Sequence, residues 1–246
     1  MFKEERYEKI LEILNEENYI SAMELSKRLF VSLPTIRRDL AELSSKNLIL
    51  RNHGGARKIS SSHVSPPLDF RKAVNYDIKR RLCEKACELI NDNDVIFIDG
   101  SSTTLQLAEY ITQKKSITVV TNGLPLAVAL RKKGIKVYCT GGEIREESFA
   151  AAGFFAEEFI KNFNFDIMFF SCSCVTENGI IADTSLLENT LRRTAINSSK
   201  KVVFMCDSSK FNKTAPHNLV PICDADFVIT DFCETLNFDT KNFIII

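Results

Sequence analysis

The sequence has no run of 18 apolar residues, which excludes a membrane-spanning helix. Its start, MFKEERYEKI, is charged and helix-like, which excludes a secretory leader and leads us to expect a cytoplasmic protein with no membrane partner. It has no Cys-x-x-Cys pair. Its three histidines (His53, His63, His217) are not at zinc-ligand spacing from the eight cysteines (Cys83, Cys87, Cys139, Cys172, Cys174, Cys206, Cys223, Cys233), so no metal site is expected. Most of those cysteines lie in or beside apolar stretches, as reduced buried thiols do. Cys172 and Cys174 are the candidates for redox sensitivity, but no neighbour in sequence would stabilise a thiolate there. No internal repeat is present. Net charge is also missing, with 32 Lys and Arg against 32 Asp and Glu, and an even spread of those charges would argue against nucleic-acid binding.

What is present is ordinary in bulk and uneven in detail. Hydrophobic residues at 45% and charged residues at 26% exclude a disordered or fibrous chain and promise a sizeable core. A length of 246 residues allows one large domain or a small one plus a medium one. From Lys27 to Lys58 there are eight cations (Lys27, Arg28, Arg37, Arg38, Lys46, Arg51, Arg57, Lys58) against two anions (Asp39, Glu42), a local balance of 8 − 2 = +6. Such a cluster can neutralise several phosphates of a duplex, or simply be a solvated face. Segment 59–68, ISSSHVSPPL, has the serine and proline content of an exposed connector. The expected organisation is therefore a domain at 1–58, a linker at 59–74 and a second domain at 75–246.

Helical periodicity dominates the first part. Tyr7, Ile10, Leu11 and Leu14 mark one amphipathic helix, and Ser21 to Glu24 read as a capping box opening a second helix at the serine that ends near Phe30. Ser32 and Pro34 open a third helix, with Ile36, Leu40 and Leu43 as its buried stripe. LILRNHGGARK then reads as a β-hairpin wing around Gly54-Gly55. Helix, turn, helix and wing form an arrangement that can place one helix in the major groove, although a three-helix module for protein contacts has the same spacing. With the stripe inward, Arg38 points out and is the best base reader, because arginine can grip guanine bidentately. Ser32, Thr35 and Arg37 suit phosphate or edge contacts, and Arg51, His53 and Arg57 on the wing suit the backbone.

After the connector a helix is expected at about Asp77 to Ile90. Apolar strands follow at 95–99, 117–121, 135–139, 166–172, 201–207, 226–231 and the C-terminus, with helices beginning near Ser102, Pro125, Phe154 and Ser185. This alternation is that of a parallel sheet. Four of its strand ends carry small polar loops: Asp99-Gly-Ser101-Ser102-Thr103-Thr104, Thr121-Asn122-Gly123, Gly141-Gly142 and Asp207 to Phe211. Ligands bind at such edges. Free amides at a helix start together with the hydroxyls of Ser101, Ser102, Thr103 and Thr104 suit a phosphate, glycines admit a ligand closely, and Lys210 supplies charge. Each loop alone also reads as a cap or tight turn.

SLPTIRRDLAELSSKNLILRNHGGA (32–56) resembles the signature of the DeoR family of bacterial regulators, in the serine at Ser32, the core Thr35 to Leu40 and the wing His53 to Ala56. The Thr121-Asn122, Gly141-Gly142, Asp207 to Phe211 and Ile229 to Asp231 segments also stand in that family's order, so the resemblance spans nearly the whole chain. It implies a mixed α/β protein: an N-terminal winged helix-turn-helix joined to a mostly parallel-sheet, ribose-5-phosphate-isomerase-like sensor domain. It implies that Thr35, Arg37 and Arg38 belong to the recognition helix. It further implies Asp99, Ser102, Thr103, Asn122, Gly141, Gly142 and Lys210 as effector-binding residues, with Glu188 and Arg192 as further candidates. Ser101 stands where the family usually has glycine, the glycine here being Gly100. The expected function is a repressor of a carbohydrate operon, bound to operator double-stranded DNA as a homo-oligomer (dimer or tetramer) and controlled by a phosphorylated sugar, with no cofactor. The rival readings are an isomerase-like enzyme using Asp99, Asp207 or Glu188 as base, and a dimerisation module without ligand.

Overall fold

The computed structural model describes residues 3–45, 48–52, 54–58, 65–231 and 236–246. The wing-tip candidate His53, Lys46 and most of the serine-rich connector lie outside them. The chain divides into two compact units, Met1–Val74 and Asn75–Ile246.

The first unit runs α1 (Lys3–Glu17), β1 (Tyr19–Ser21), α2 (Ala22–Leu29), α3 (Leu33–Ser45), β2 (Ile49–Asn52), β3 (Gly55–Lys58) and α4 (Leu68–Ala73). Tyr7, Ile10, Leu14, Leu25, Leu29, Ile36, Leu40 and Leu43 close its core, as their spacing requires. Three details depart from the sequence expectation. Ser21 caps α2 from outside, its Oγ accepting from the Glu24 amide at 3.1 Å, while Glu24 does not complete the box but takes Arg28 at 2.9 Å. Tyr19–Ser21 forms a strand too short for any periodicity to reveal, pairing antiparallel with β3 to give a sheet ordered β1-β3-β2. The second half of the expected linker is helical: α4 buries Leu68 and lays Phe70 on the core.

The second unit begins with α5 (Tyr76–Cys87) and continues β4 (Val95–Ile98), β5 (Thr118–Thr121), α6 (Leu124–Lys132), β6 (Lys136–Cys139), β7 (Glu143–Ile144), β8 (Ala151–Ala152), α7 (Phe154–Ile160), β9 (Ile167–Phe170), β10 (Cys174–Val175), β11 (Ile180–Asp183), α8 (Leu186–Asn197), β12 (Val202–Met205), β13 (His217–Pro221), β14 (Phe227–Thr230) and β15 (Phe243–Ile245). Seven strands form one sheet, β15-β14-β12-β9-β4-β5-β6, every neighbouring pair parallel. Alternation along the strands sorts side chains into two cores. Ile96, Ile98, Ile167, Phe169, Val203 and Met205 pack under α5 and α6. Phe97, Met168, Phe170, Val202 and Phe204 face the opposite layer with Leu191 and Ala195 of α8. The chain winds outward from β4 in one direction through β5 and β6, and in the other through β9, β12 and β14. The reversal at β4 and β9 is the switch point where α/β sheets open a crevice.

The helix expected near Ser102 is absent as an α-helix. Two 3₁₀ segments, Thr104–Glu109 and Ile111–Gln113, stand there, tightened by i→i+3 bonds such as Gln106 N–H to Thr103 O at 3.2 Å. Two small antiparallel sheets, β7-β8 and β10-β11-β13, were not foreseen.

Candidate nucleic-acid interface and sensor site

α3 carries its buried stripe as expected and leaves Arg37 and Arg38 exposed. Ser32 caps it: its Oγ lies 2.8 Å from Thr35 Oγ1 and accepts weakly from the Thr35 amide at 3.4 Å. Both hydroxyls thus serve the helix start first. Arg37 and Arg51 line a cleft of about 200 Å³ between the start of α3 and the wing, together with Met23, Leu33 and Asn52. Arg57 is exposed and stacks on Tyr19 at 5.9 Å. Arg28, counted in the basic cluster, is spoken for by Glu17 and Glu24. One member of the region has a role that its place among the cluster's two anions does not show. Asp39 is buried and takes Arg6 of α1 in a bidentate pair at 2.6 and 2.9 Å, which fixes the angle at which α3 is presented. Its tell was an acid alone on the inward side of an otherwise apolar stripe.

In the second unit the candidate residues gather at the C-terminal edge of the sheet, and they divide by what their polar atoms already do. Arg192 of α8 is the centre. Its Nε donates to Asp99 Oδ2 at 2.9 Å, one terminal nitrogen to Asp183 Oδ2 at 2.9 Å and Asn189 Oδ1 at 3.3 Å, and the other to Glu188 Oε2 at 3.1 Å. Burial works against its charge, but Asp183, Asp99 and Glu188 beside it raise its pKa well above the usual value. Asp183 also suffers burial, yet Arg192 and hydrogen bonds from Ser173 and the Thr184 amide hold it below the ordinary carboxylate range. Asp207 is likewise held down against burial by Lys210, Ser209, Lys79 and Asn75, the last donating at 3.0 Å. A general base is tuned the other way, toward neutrality, so these two acids are unsuited to proton abstraction.

Ser101 and Thr104 are consumed locally: their hydroxyls lie 2.8 Å apart, and Thr104 Oγ1 donates within the Asp99 turn at 2.8 to 2.9 Å. Thr121 Oγ1 accepts the Gly123 amide at 3.0 Å. Asn122 staples three segments, accepting from the Gly100 amide at 2.9 Å and donating to Ala151 O at 3.0 Å. Gly142, at φ +122°, packs where a Cβ would sit 2.6 Å from Ala152 O, whereas Gly141 has open space. By contrast Thr103 Oγ1 is buried without a partner, as is Thr140 Oγ1 at the end of β6, a residue the sequence reading passed over. Lys210 is half-buried, with its ammonium near Ser171 Oγ at 3.3 Å and on the Cys172 carbonyl. Cys172 and Cys174 are buried, and that burial raises both thiols, so neither is a reactive thiolate.

Two residues of this edge left no sequence signal. Asp183 ends a two-sided antiparallel strand, and Lys79, buried on α5, looked like one more cation of an amphipathic helix. Strand spacing also limits what one small ligand can reach. β6 and β12 are four strands apart, about 19 Å, so Gly141 and Lys210 do not meet across the sheet. The β7-β8 hairpin spans part of that gap. It leaves the end of β6, bonds to Asn122 through Ala151, lies on Gly100 through Ala150 and reaches α8, where Ser148 Oγ donates to Glu188 Oε1 at 2.8 Å.

Comparison with known proteins agrees with this division. Residues 6–62 match the DeoR-like helix-turn-helix domain and residues 74–232 the DeoR C terminal sensor domain. The glycerol-3-phosphate regulon repressor of Escherichia coli is 34% identical over 94% of this chain and 92% of its own. The L-fucose operon activator of Haemophilus influenzae is 33% identical over 93% of this chain and 91% of its own. In fold, the translation initiation factor eIF-2B of Pyrococcus horikoshii aligns over 92% of this chain and 86% of its own at 16% identity and TM-score 0.51. Ribose 5-phosphate isomerase of Methanocaldococcus jannaschii aligns over 56% and 55% at 15% identity and TM-score 0.43. The signature around α3, the wing behind it and the sensor unit thus lead to one assignment: the chain belongs to the DeoR family and is a DNA-binding transcription regulator, not an enzyme.

Proposed function

We propose that the protein is a cytoplasmic repressor of a carbohydrate operon, that it binds operator DNA as a homo-oligomer, and that a phosphorylated sugar or polyol held at the β4/β9 strand ends switches it. The observation that carries the reading is a site with both halves of the needed chemistry. Asp99, Asp183 and Glu188 offer carboxylate oxygens to sugar hydroxyls, while Lys210, the free Thr103 hydroxyl and Ser102 offer a phosphate its donors. Asn122 and Gly142 act as positioning residues, and Ser101, Thr104 and Thr121 shape the loops. The relative from Escherichia coli is named for the glycerol-3-phosphate regulon, and glycerol 3-phosphate is a compound of this class. Arg38 reads a base edge, and Ser32, Thr35, Arg37, Arg51, His53 and Arg57 position the duplex. The DNA-binding part is 1–58, and the effector part begins at 75.

Two variants test the two halves. Arg38→Ala should weaken operator binding by roughly 1–3 kcal/mol and relax preference at one base position; unchanged affinity and specificity in a fluorescence-anisotropy titration removes it from the interface. Lys210→Ala should bind operator normally and respond to no sugar phosphate, and a normal response in that variant refutes the pocket.

A further inference from the structure

Six large apolar side chains are exposed beside the sensor edge: Ile144 at 46%, Phe149 at 48%, Phe154 at 69%, Phe155 at 73%, Leu186 at 53% and Leu187 at 38%. They sit on three elements tied to one another. Phe154 and Phe155 meet edge-on at 5.6 Å at the start of α7, Thr190 of α8 donates to Glu157 of α7 at 2.8 Å, Ser148, beside Phe149, donates to Glu188, beside Leu187, and Ile144 pairs with Ala151 on the strand that leads into α7. Taking roughly 200 Å² for a fully exposed large apolar side chain, the patch presents about 650 Å². That is at the upper limit for an isolated soluble chain and about four-fifths of the roughly 800 Å² each partner brings to a stable complex.

We propose that this patch is where a second copy of the chain docks. Glu143, Glu146, Glu147, Glu157 and Glu158, none of them buried, neighbour the patch residues in sequence, and that negative charge disfavours nucleic acid and anionic membrane. Arg145, 3.4 Å from Glu143 and 3.7 Å from Glu147, and Lys161, 2.5 Å from Glu158, supply the cations that acids of a two-fold-related copy can meet. The inference rests on the proposal that paired copies read the operator, since one recognition helix spans only one half-site. It adds a route for the signal: the partner copy presses on the same hairpin that covers Asn122 and Gly100, so a ligand that moves the hairpin changes the pairing.

Sedimentation equilibrium of the full chain tests it. Phe155→Glu, and separately Leu186→Arg, should raise the dimer dissociation constant by about 100-fold or more, with the far-UV spectrum unchanged, while Val128→Glu on the exposed face of α6 leaves it as it was. Binding to a single half-site should persist in both patch variants and binding to the full operator should fall. If the wild type pairs and neither patch variant separates it, or Val128→Glu does, this surface is the wrong one although pairing stands. If the wild type is a monomer that binds the full operator as tightly as any variant, pairing itself fails and the proposal falls with it.

Discussion

Replacing Arg192 with methionine keeps the volume and removes the charge, and it should be the most costly single change in the second unit. Asp99 and Asp183 are almost wholly buried, and Glu188 nearly so, all on one guanidinium. Losing one partner of a buried ion pair costs about 3–5 kcal/mol, because the remaining charge is left without water or counter-ion. For a unit of this size that is roughly 6–20 °C of midpoint. The pH dependence makes the reasoning specific. In the wild type, burial opposes ionisation of Asp183 but Arg192 outweighs it, so its folded pKa lies below the ordinary 3.8. Its contribution is complete above that value and is lost as pH falls through the depressed one. In Arg192→Met the burial penalty is opposed only by Lys210 and the bonds from Ser173 and the Thr184 amide, so the folded pKa rises and the variant is penalised more as pH increases. The gap between the two proteins should therefore be widest near neutrality and shrink by more than half as pH drops to about 4. Calorimetry is the suitable assay, since the chain has no tryptophan and two units can melt separately. A gap below about 1 kcal/mol at neutral pH, or one that does not change with pH, would refute the idea that Arg192 neutralises these acids.

Two further changes test the backbone. Phe30, 95% exposed at φ +52° in the turn between α2 and α3, has a left-handed conformation that costs an L residue about 1–2 kcal/mol, so Phe30→Gly should stabilise the first unit by about 0.5–1 kcal/mol after the entropy that glycine loses; a lower calorimetric midpoint contradicts this. Gly142→Ala must fit a Cβ against Ala152 O and hold φ +122°, so the second unit should lose about 1–3 kcal/mol, while Gly141→Ala beside it should change stability by under about 0.5 kcal/mol.

Much of the fold was readable because the pattern of burial is local. The α3 stripe Ile36, Leu40, Leu43 follows from helical period, and the strands at Val95, Thr118, Ile167, Val202 and Phe227 from short continuous apolar runs. Where competing short-range bonds decide, the pattern misleads. Asp99-Gly-Ser-Ser-Thr-Thr has the composition of a helix start, but Asp99 captures Thr104 Oγ1 and Thr104 captures Ser101, closing a turn that leads into 3₁₀ geometry. Four hydroxyls in a row looked like a cradle because sequence does not reveal which are already used.

The site was legible by residue type and not by pairing. Asp99 and Lys210 stand out on separate loops, Glu188 and Arg192 enter only through the family resemblance, and nothing in the spacing says that residues 93 positions apart share a bond. The consequence for mechanism is physical. A guanidinium that already satisfies three acids has few donors to spare for a phosphate, so in the function we propose the anion is drawn by Lys210 and the unpartnered Thr103 hydroxyl, with Arg192 holding the acids at the sugar end. A ligand that bonds Glu188 through a hydroxyl competes directly with Ser148, whose bond ties the hairpin to α8. On the proposed function, ligand binding and loss of the Ser148 bond are one event at one carboxylate.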